Sequence, residues 1–198
     1  MTEPNGITRI ALTGKLRSGK STVERHLTQQ HGFNSVAFGD QLKYFAHKIF
    51  DDATDDAAYD PFRPGSPQKP RALYQQFGQL CREIDPDVWI KHAQRTVEYY
   101  ERLRDTTGIV ISDLRQPNEY EWAKANGFTI VKVVADDAVR LERARQAGDK
   151  MTEEDFVHDT ESYVDGFAAD YTVVNDGELA ELQRKVDGII EDISKGDD

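Results

Sequence analysis

Gly14-Lys15-Leu16-Arg17-Ser18-Gly19-Lys20-Ser21 fits the pattern G-x-x-x-x-G-K-[ST] at every fixed position. Upstream, Ile7 to Leu12 is a short apolar run interrupted at Arg9, and downstream Ser21 to Gln30 reads as an amphipathic helix with Val23 and Leu27 four apart. Strand, loop and helix in that order let backbone N–H groups curl around phosphate oxygens. The glycines admit close approach and positive φ, and the helix N-terminus adds partial positive charge. In this reading Gly14, Lys15 and Ser18 belong to the cradle of a nucleotide, Lys20 reaches its β- and γ-phosphates, and the Ser21 hydroxyl ligates Mg²⁺. A glycine-rich turn carrying a solvated lysine is the plain alternative.

The chain has 198 residues, room for one well-packed α/β core and small insertions but not for a second full domain. A single domain over 1–198 is therefore expected. Apolar residues at 38% and charged residues at 31% describe a globular protein with a heavily solvated surface, and no apolar run approaches membrane-spanning length. The start, Met-Thr-Glu-Pro-Asn-Gly, lacks the basic and apolar segments of a secretory signal, and the lone Cys81 cannot pair within the chain. Both features point to a reducing cytoplasm, with Cys81 packed rather than reactive.

A net charge of −11 repels polyanions over most of the surface, so stable nucleic-acid binding is not expected. A small phosphorylated substrate needs only a local basic cleft. Its candidate members are Lys15, Arg17, Lys20, Lys43, Arg71, Arg82, Arg115, Arg140, Arg143 and Arg145. The five histidines show no metal-ligand spacing.

Beyond the first helix, Asn34 to Phe38 reads as a strand ended by Gly39-Asp40, and Gln41 to Phe50 as a helix with Leu42, Phe45, Ala46 and Ile49 on one face. Residues 51–70, broken by Pro61, Pro64, Pro67 and Pro70, read as a loop or flap. Helices are expected over Arg71 to Ile84 and Asp87 to Arg104, the second capped by Asp85. The Ile-Val-Ile run within Gly108 to Ser112 suits a central parallel strand buried on both faces. A helix from Asn118 to Asn126, a strand from Thr129 to Val134 and an arginine-bearing helix from Asp137 to Gln146 follow. Residues 148–166 read as a polar, mobile segment, Tyr171 to Val174 as the last strand, Asn175-Asp176-Gly177 as a turn, and Glu178 to Ser194 as the closing helix. Alternating strands and helices behind a phosphate loop imply a doubly wound parallel sheet of about five strands, with ligands at their carboxyl ends.

Asp113 follows the buried strand where phosphate-loop enzymes place an acid that organises Mg²⁺ or the accepting group. An aspartate there is also a common turn former. Arg115 presents five fixed donors suited to a phosphate, or to a surface ion pair, and Gln116 and Glu119 lie on the same loop and helix start.

Five further stretches accompany the phosphate loop in order: Gly-Asp-Gln-Leu-Lys at 39–43, Arg-Ala-Leu-Tyr-Gln-Gln-Phe-Gly at 71–78, Asp-Pro-Asp-Val-Trp at 85–89, Ser-Asp-Leu-Arg-Gln-Pro-Asn-Glu at 112–119 and Val-Asn-Asp-Gly at 174–177. Over nearly its whole length the chain resembles the deoxynucleoside monophosphate kinases of tailed bacteriophages. The resemblance implies a P-loop kinase fold and transfer of the ATP γ-phosphoryl group to the 5′-phosphate of a deoxynucleoside monophosphate. It places Arg17, Gly19, Lys20, Ser21 and Thr22 on ATP phosphates and Mg²⁺. Asp40, Lys43, Arg71, Gly78, Gln79, Arg82, Trp89, Asp113, Arg115, Gln116 and Glu119 are placed around the acceptor. Trp89 either stacks on the base or fills core, and Asn175 either lies near the adenine or forms an ordinary turn.

Two positions depart from the family pattern, which has aspartate at the place of Ser21 and threonine at that of Gln79. Arg140, Arg143 and Arg145, followed by the 148–166 segment with His158, Thr160 and Glu161, look like the lid of monophosphate kinases, which neutralises charge on the migrating phosphoryl group. The implied setting is a bacterial or phage-infected cytoplasm, with small nucleotides as partners, no membrane, and a homodimer as the oligomer compatible with the fold. Two other functions fit the same motifs: a kinase of another phosphorylated small molecule, since animal-type phosphomevalonate kinases share several of them, and an ATP-binding switch that signals through a partner protein.

Overall fold

The computed structural model describes residues 6–50, 71–147 and 162–196. The expected 51–70 flap and most of the expected lid, including His158, Thr160 and Glu161, lie outside the described residues.

Five strands form one parallel sheet: β1 (Thr8–Thr13), β2 (Asn34–Val36), β3 (Gly108–Ile111), β4 (Thr129–Val134) and β5 (Tyr171–Val174), in the order β2-β3-β1-β4-β5. Ile10 registers with Val110 on one side and with Thr129 on the other, which puts β1 at the centre. The helices are α1 (Lys20–His31), α2 (Phe38–Phe50), α3 (Arg71–Ile84), α4 (Val88–Glu101), α5 (Pro117–Ala125), α6 (Asp137–Gln146), α7 (Ser162–Gly166) and α8 (Leu179–Gly196).

Period-two alternation sorts the strand side chains to two faces. Ile10, Leu12, Val110, Val131, Val133 and Val173 pack with Val23 and Leu27 of α1 and with Leu182 and Val186 of α8. Ala11, Ile109, Ile111 and Ile130 pack on the opposite face with Leu42 of α2, Trp89, Ile90, Ala93 and Val97 of α4, and Ala123 of α5. Burying both faces of the central strands explains their unbroken apolar runs. Each fully buried Ile or Leu there contributes about 1.5–3 kcal/mol.

Two expected elements change. The strand expected over 34–38 stops at Val36, and Phe38 instead opens α2, three residues before the expected helix start. The reason is remote in sequence: Asp113 accepts the Phe38 N–H on Oδ1 at 2.8 Å and the Gly39 N–H on Oδ2 at 3.0 Å, acting as the cap that the local sequence lacks. The segment expected to be mobile ends in α7, where Val164 is buried, Asp165 pairs with Lys15 at 2.9 Å, and the Asp165 carbonyl accepts from Lys132 at 3.0 Å. A smaller shift concerns α4, whose N-cap position is Asp87 rather than Asp85. Asp85 instead accepts the Asp87 N–H and pairs with Lys91 at 2.6 Å.

Candidate functional site

The loops leaving β1, β2, β3 and β5 meet at the carboxyl edge of the sheet. The Leu114 N–H donates to the Leu12 carbonyl and Thr13 Oγ1 donates to the Leu114 carbonyl at 3.1 Å, which stitches the Asp113–Arg115 loop to the strand that feeds the phosphate loop. The Asn175 N–H donates to the Val134 carbonyl, and its side-chain Nδ2 donates to the Ser18 carbonyl at 2.8 Å. Asn175 is buried, so it braces the phosphate loop from within instead of forming only an exposed turn.

Two glycines in the loop are there for steric reasons. At Gly14, with φ of 140°, a Cβ would stand 2.1 Å from the Val133 carbonyl oxygen; at Gly19, with φ of 111°, it would stand 2.1 Å from Asn175 Nδ2. Arg17 adopts φ of 62°, a left-handed conformation uncommon for a non-glycine residue and typical of functional loops.

The Lys20 ammonium donates to the carbonyls of Gly14 and Lys15, so the cation sits inside the curl of the loop. Gly19 provides no side-chain cap for α1, and the first turn of α1 contains no acidic residue. The partial positive charge of that helix start is therefore left for an incoming anion. Ser18 Oγ is buried and, among the described residues, has no hydrogen-bond partner, a further polar atom in the loop that a ligand can satisfy. These features fit the phosphates of a nucleoside triphosphate. Ser21 is exposed in the first turn of α1, where its hydroxyl fits a divalent ion, while each Asp113 oxygen accepts one N–H and retains a lone pair. Thr22 lies beside it, half-buried.

The arginines of α6 reach the loop from behind. Arg140, 2% exposed, donates through Nε to the Leu16 carbonyl at 2.7 Å and pairs with Asp137 at 2.6 Å. Arg143 donates to the Asn175 carbonyl at 2.9 Å and, at 3.4 and 3.5 Å, to the carbonyls of Arg17 and Ser18. Arg140 and Arg143 thus hold the loop's shape. Arg145 is exposed.

Around the β3 loop, Glu119 accepts the N–H groups of Arg115 and Gln116 on Oε2, both at 2.9 Å, which closes a capping box at the start of α5. Burial, with the nearby charge of Asp113, pushes the Glu119 carboxyl up to about 7, against the opposing pull of those two N–H bonds and of Arg82. Arg82 stands 3.9 Å from Glu119. Lys43 pairs with Asp40 at 3.0 Å, one turn from Gly39 and hence beside the Asp113 carboxylate. Arg115 is half-buried, and among the described residues its guanidinium has no hydrogen-bond or ion-pair partner. A partly desolvated cation without a partner is the most direct mark of an anion site in this region.

Four further acceptor-side positions lie on α3 and α4. Trp89 is 3% exposed, lies 6.2 Å from Phe77 and 6.3 Å from His92 between ring centroids, and donates weakly to the Gly78 carbonyl at 3.4 Å; of its two readings, the structure takes the core one. Gly78 is the point where α3 comes close to α2, since a Cβ would stand 2.5 Å from Leu42 Cδ1. Gln79 is exposed on α3, and Arg71 opens that helix. Cys81 is partly buried against the core.

A phosphate loop on a central parallel strand, with an acid and an arginine that is unpaired among the described residues after the neighbouring strand, defines the class: a P-loop kinase fold. The chain belongs to the AAA domain family, whose model matches residues 10–163. Solved structures agree with the fold. TT1252 from Thermus thermophilus is 20% identical with a TM-score of 0.58, covering 94% of this chain and 97% of that one. A dephospho-CoA kinase from Campylobacter jejuni is 17% identical with a TM-score of 0.54, covering 96% and 98%. A shikimate kinase from Acinetobacter baumannii, in complex with shikimate, is 13% identical with a TM-score of 0.53, covering 96% and 95%. Among curated proteins, none matches this sequence. Among the described residues no helix is long and apolar enough to cross a membrane.

Proposed function

We propose that this protein is an ATP-dependent phosphotransferase that moves the γ-phosphoryl group onto an acceptor already carrying a phosphate, a deoxynucleoside monophosphate by the sequence resemblance. The observation that carries this reading is the Arg115 guanidinium, which has no partner among the described residues and sits on the loop stitched to the start of the phosphate loop. It supplies a second anion site beside the first, as a kinase needs and a simple nucleotide switch does not.

In the mechanism, Lys20 and the amides at the start of α1 hold the β- and γ-phosphates, while Arg115, Lys43 and Arg82 hold and orient the acceptor phosphate. Ser21 and Asp113 would hold a Mg²⁺ ion, which would supply charge neutralisation on the triphosphate. An acceptor phosphate oxygen is ionised at neutral pH, so it attacks without a strong base; its new bond to the γ-phosphorus forms as the bond to the β-bridging oxygen breaks. Catalysis rests on positioning and on cationic groups fixed in advance by Arg140, Arg143 and Asn175.

A second reading, a kinase for another small phosphate ester such as mevalonate phosphate, gains from the burial of Trp89, which withdraws one aromatic face from a planar base. The deciding assay offers Mg²⁺-ATP with dAMP, dCMP, dGMP and dTMP, with ribonucleotides and mevalonate phosphate in parallel, and identifies the product by chromatography. A deoxynucleoside diphosphate supports the leading reading. A mevalonate diphosphate replaces it with the second, and ATP consumption indifferent to every acceptor overturns both.

A further inference from the structure

The carboxyl-terminal half of α1 meets α8 on the face of the sheet opposite to the one covered by α2, α4 and α5. There His26 Nε2 stands 2.6 Å and His31 Nε2 2.7 Å from a single oxygen, Oδ1 of Asp187. The two imidazoles meet edge to face with centroids 5.4 Å apart, and one ligand atom from each of the three residues lies within 4.8 Å of the others. His26 is 8% exposed, while Asp187 opens onto a cleft of about 690 Å³ that Glu191 and Lys195 also line.

We propose that His26, His31 and Asp187 form a binding site for one zinc-class divalent cation, which ties the carboxyl-terminal helix to the helix of the phosphate loop. Two imidazole nitrogens and one carboxylate oxygen are a donor set that such ions take, with a fourth position left open toward the cleft. Ligand atoms around a zinc ion at 2.0–2.1 Å stand about 3.3 Å apart, so the two nitrogen–oxygen distances need to open by only about 0.7 Å. In the ion-free chain the two Nε2–H groups share Asp187 Oδ1, and a bound cation would take the place of those protons; His26 would then keep its remaining proton on Nδ1, which is buried and has no hydrogen-bond partner among the described residues. His31 is the last residue of α1, where the helix dipole favours positive charge. Glu191, one turn along α8 from Asp187, adds a carboxylate to the cleft wall.

The site is independent of the proposed phosphoryl transfer, and its test does not require turnover. The full chain, freed of metal by chelation and kept in excess Mg²⁺, is titrated with Co²⁺ while the visible d–d absorption is followed; Zn²⁺ is then added to displace the Co²⁺. Wild-type protein is expected to bind about one equivalent, with H31Q and D187N at least about tenfold weaker. These two positions are more exposed than His26, so their variants are suited to remain folded, which thermal unfolding checks. K20A is expected to bind Co²⁺ as the wild type does. The proposal is overturned by no stoichiometric uptake in wild type, by a loss smaller than tenfold in either variant, or by loss of uptake in K20A, which would assign the metal to the phosphate loop.

Discussion

Asn175 Nδ2 donates to the carbonyl of Ser18 at 2.8 Å, joining the turn after the last strand to the phosphate loop 157 residues earlier. The same amide fills the space a Cβ at Gly19 would need, so loop glycine and turn asparagine are complementary parts of one contact. Asn175→Ala removes the donor and leaves a buried carbonyl unpaired. Chemical denaturation is expected to show a loss of about 1–3 kcal/mol, and ATP binding measured by titration is expected to weaken with it. Unchanged stability and affinity would remove Asn175 from the loop's support.

Asp113 caps α2 through Phe38 and Gly39 and also faces the proposed metal and acceptor. Asp113→Ala should cost about 1–2 kcal/mol of stability, as loss of a helix cap does. Asp113→Asn retains an acceptor oxygen, so its stability should fall less while its turnover falls to a similar degree. Equal stability loss in both variants would show that the charge of Asp113, rather than its hydrogen bonds, holds α2.

Lys20 and Arg115 give a contrast in kinetics. Lys20→Ala should lower kcat by about 10²–10³-fold or more with the fold retained, because it removes a cation aimed at the transferred phosphoryl group. Arg115→Ala should raise KM for the phosphorylated acceptor and leave KM for ATP and the unfolding midpoint nearly unchanged, because the guanidinium has no protein partner among the described residues. Wild-type steady-state behaviour in Lys20→Ala would sink the phosphotransferase reading.

Glu119 makes stability depend on pH. Its carboxyl titrates near 7 in the folded chain, against 4.5 for a solvated glutamate. A raised folded value means that the proton favours the folded state. The contribution is therefore complete below about pH 4.5 and is lost as pH rises through 7, by about 3 kcal/mol at most. Glu119→Gln keeps an oxygen for the Arg115 and Gln116 amides but does not ionise. Denaturation profiles between pH 5 and 8 should therefore slope downward in wild type more steeply than in the variant, and parallel profiles would refute this role.

Elements whose signals are local were legible in the sequence. The bounds of α3, β4, α6 and β5 coincide with those read from periodicity and breakers, because each carries its apolar pattern and its stops within itself. The start of α2 was not legible: Phe38 reads as the end of a strand and Gly39-Asp40 as its stop, while the carboxylate that turns this point into a helix start lies 75 residues away. Trp89 was ambiguous for a similar reason. An indole suits a base or a core equally, and only its packing against Phe77 and His92 separates the two. His26 and His31, five apart on one helix, have no recognised ligand spacing, and Asp187 joins them only through the docking of α8.

By itself, the sequence determined the phosphate loop, the alternation of strands and helices, and hence a parallel sheet with its site at the strands' carboxyl ends, because these depend on backbone conformation and short-range periodicity. Tertiary structure alone decided that Asp113 caps α2, that Arg140, Arg143 and Asn175 brace the loop, that Arg115 is left unpaired among the described residues, and that two histidines meet an aspartate. Those assignments depend on which polar groups meet across more than seventy residues of chain, and no local pattern encodes that.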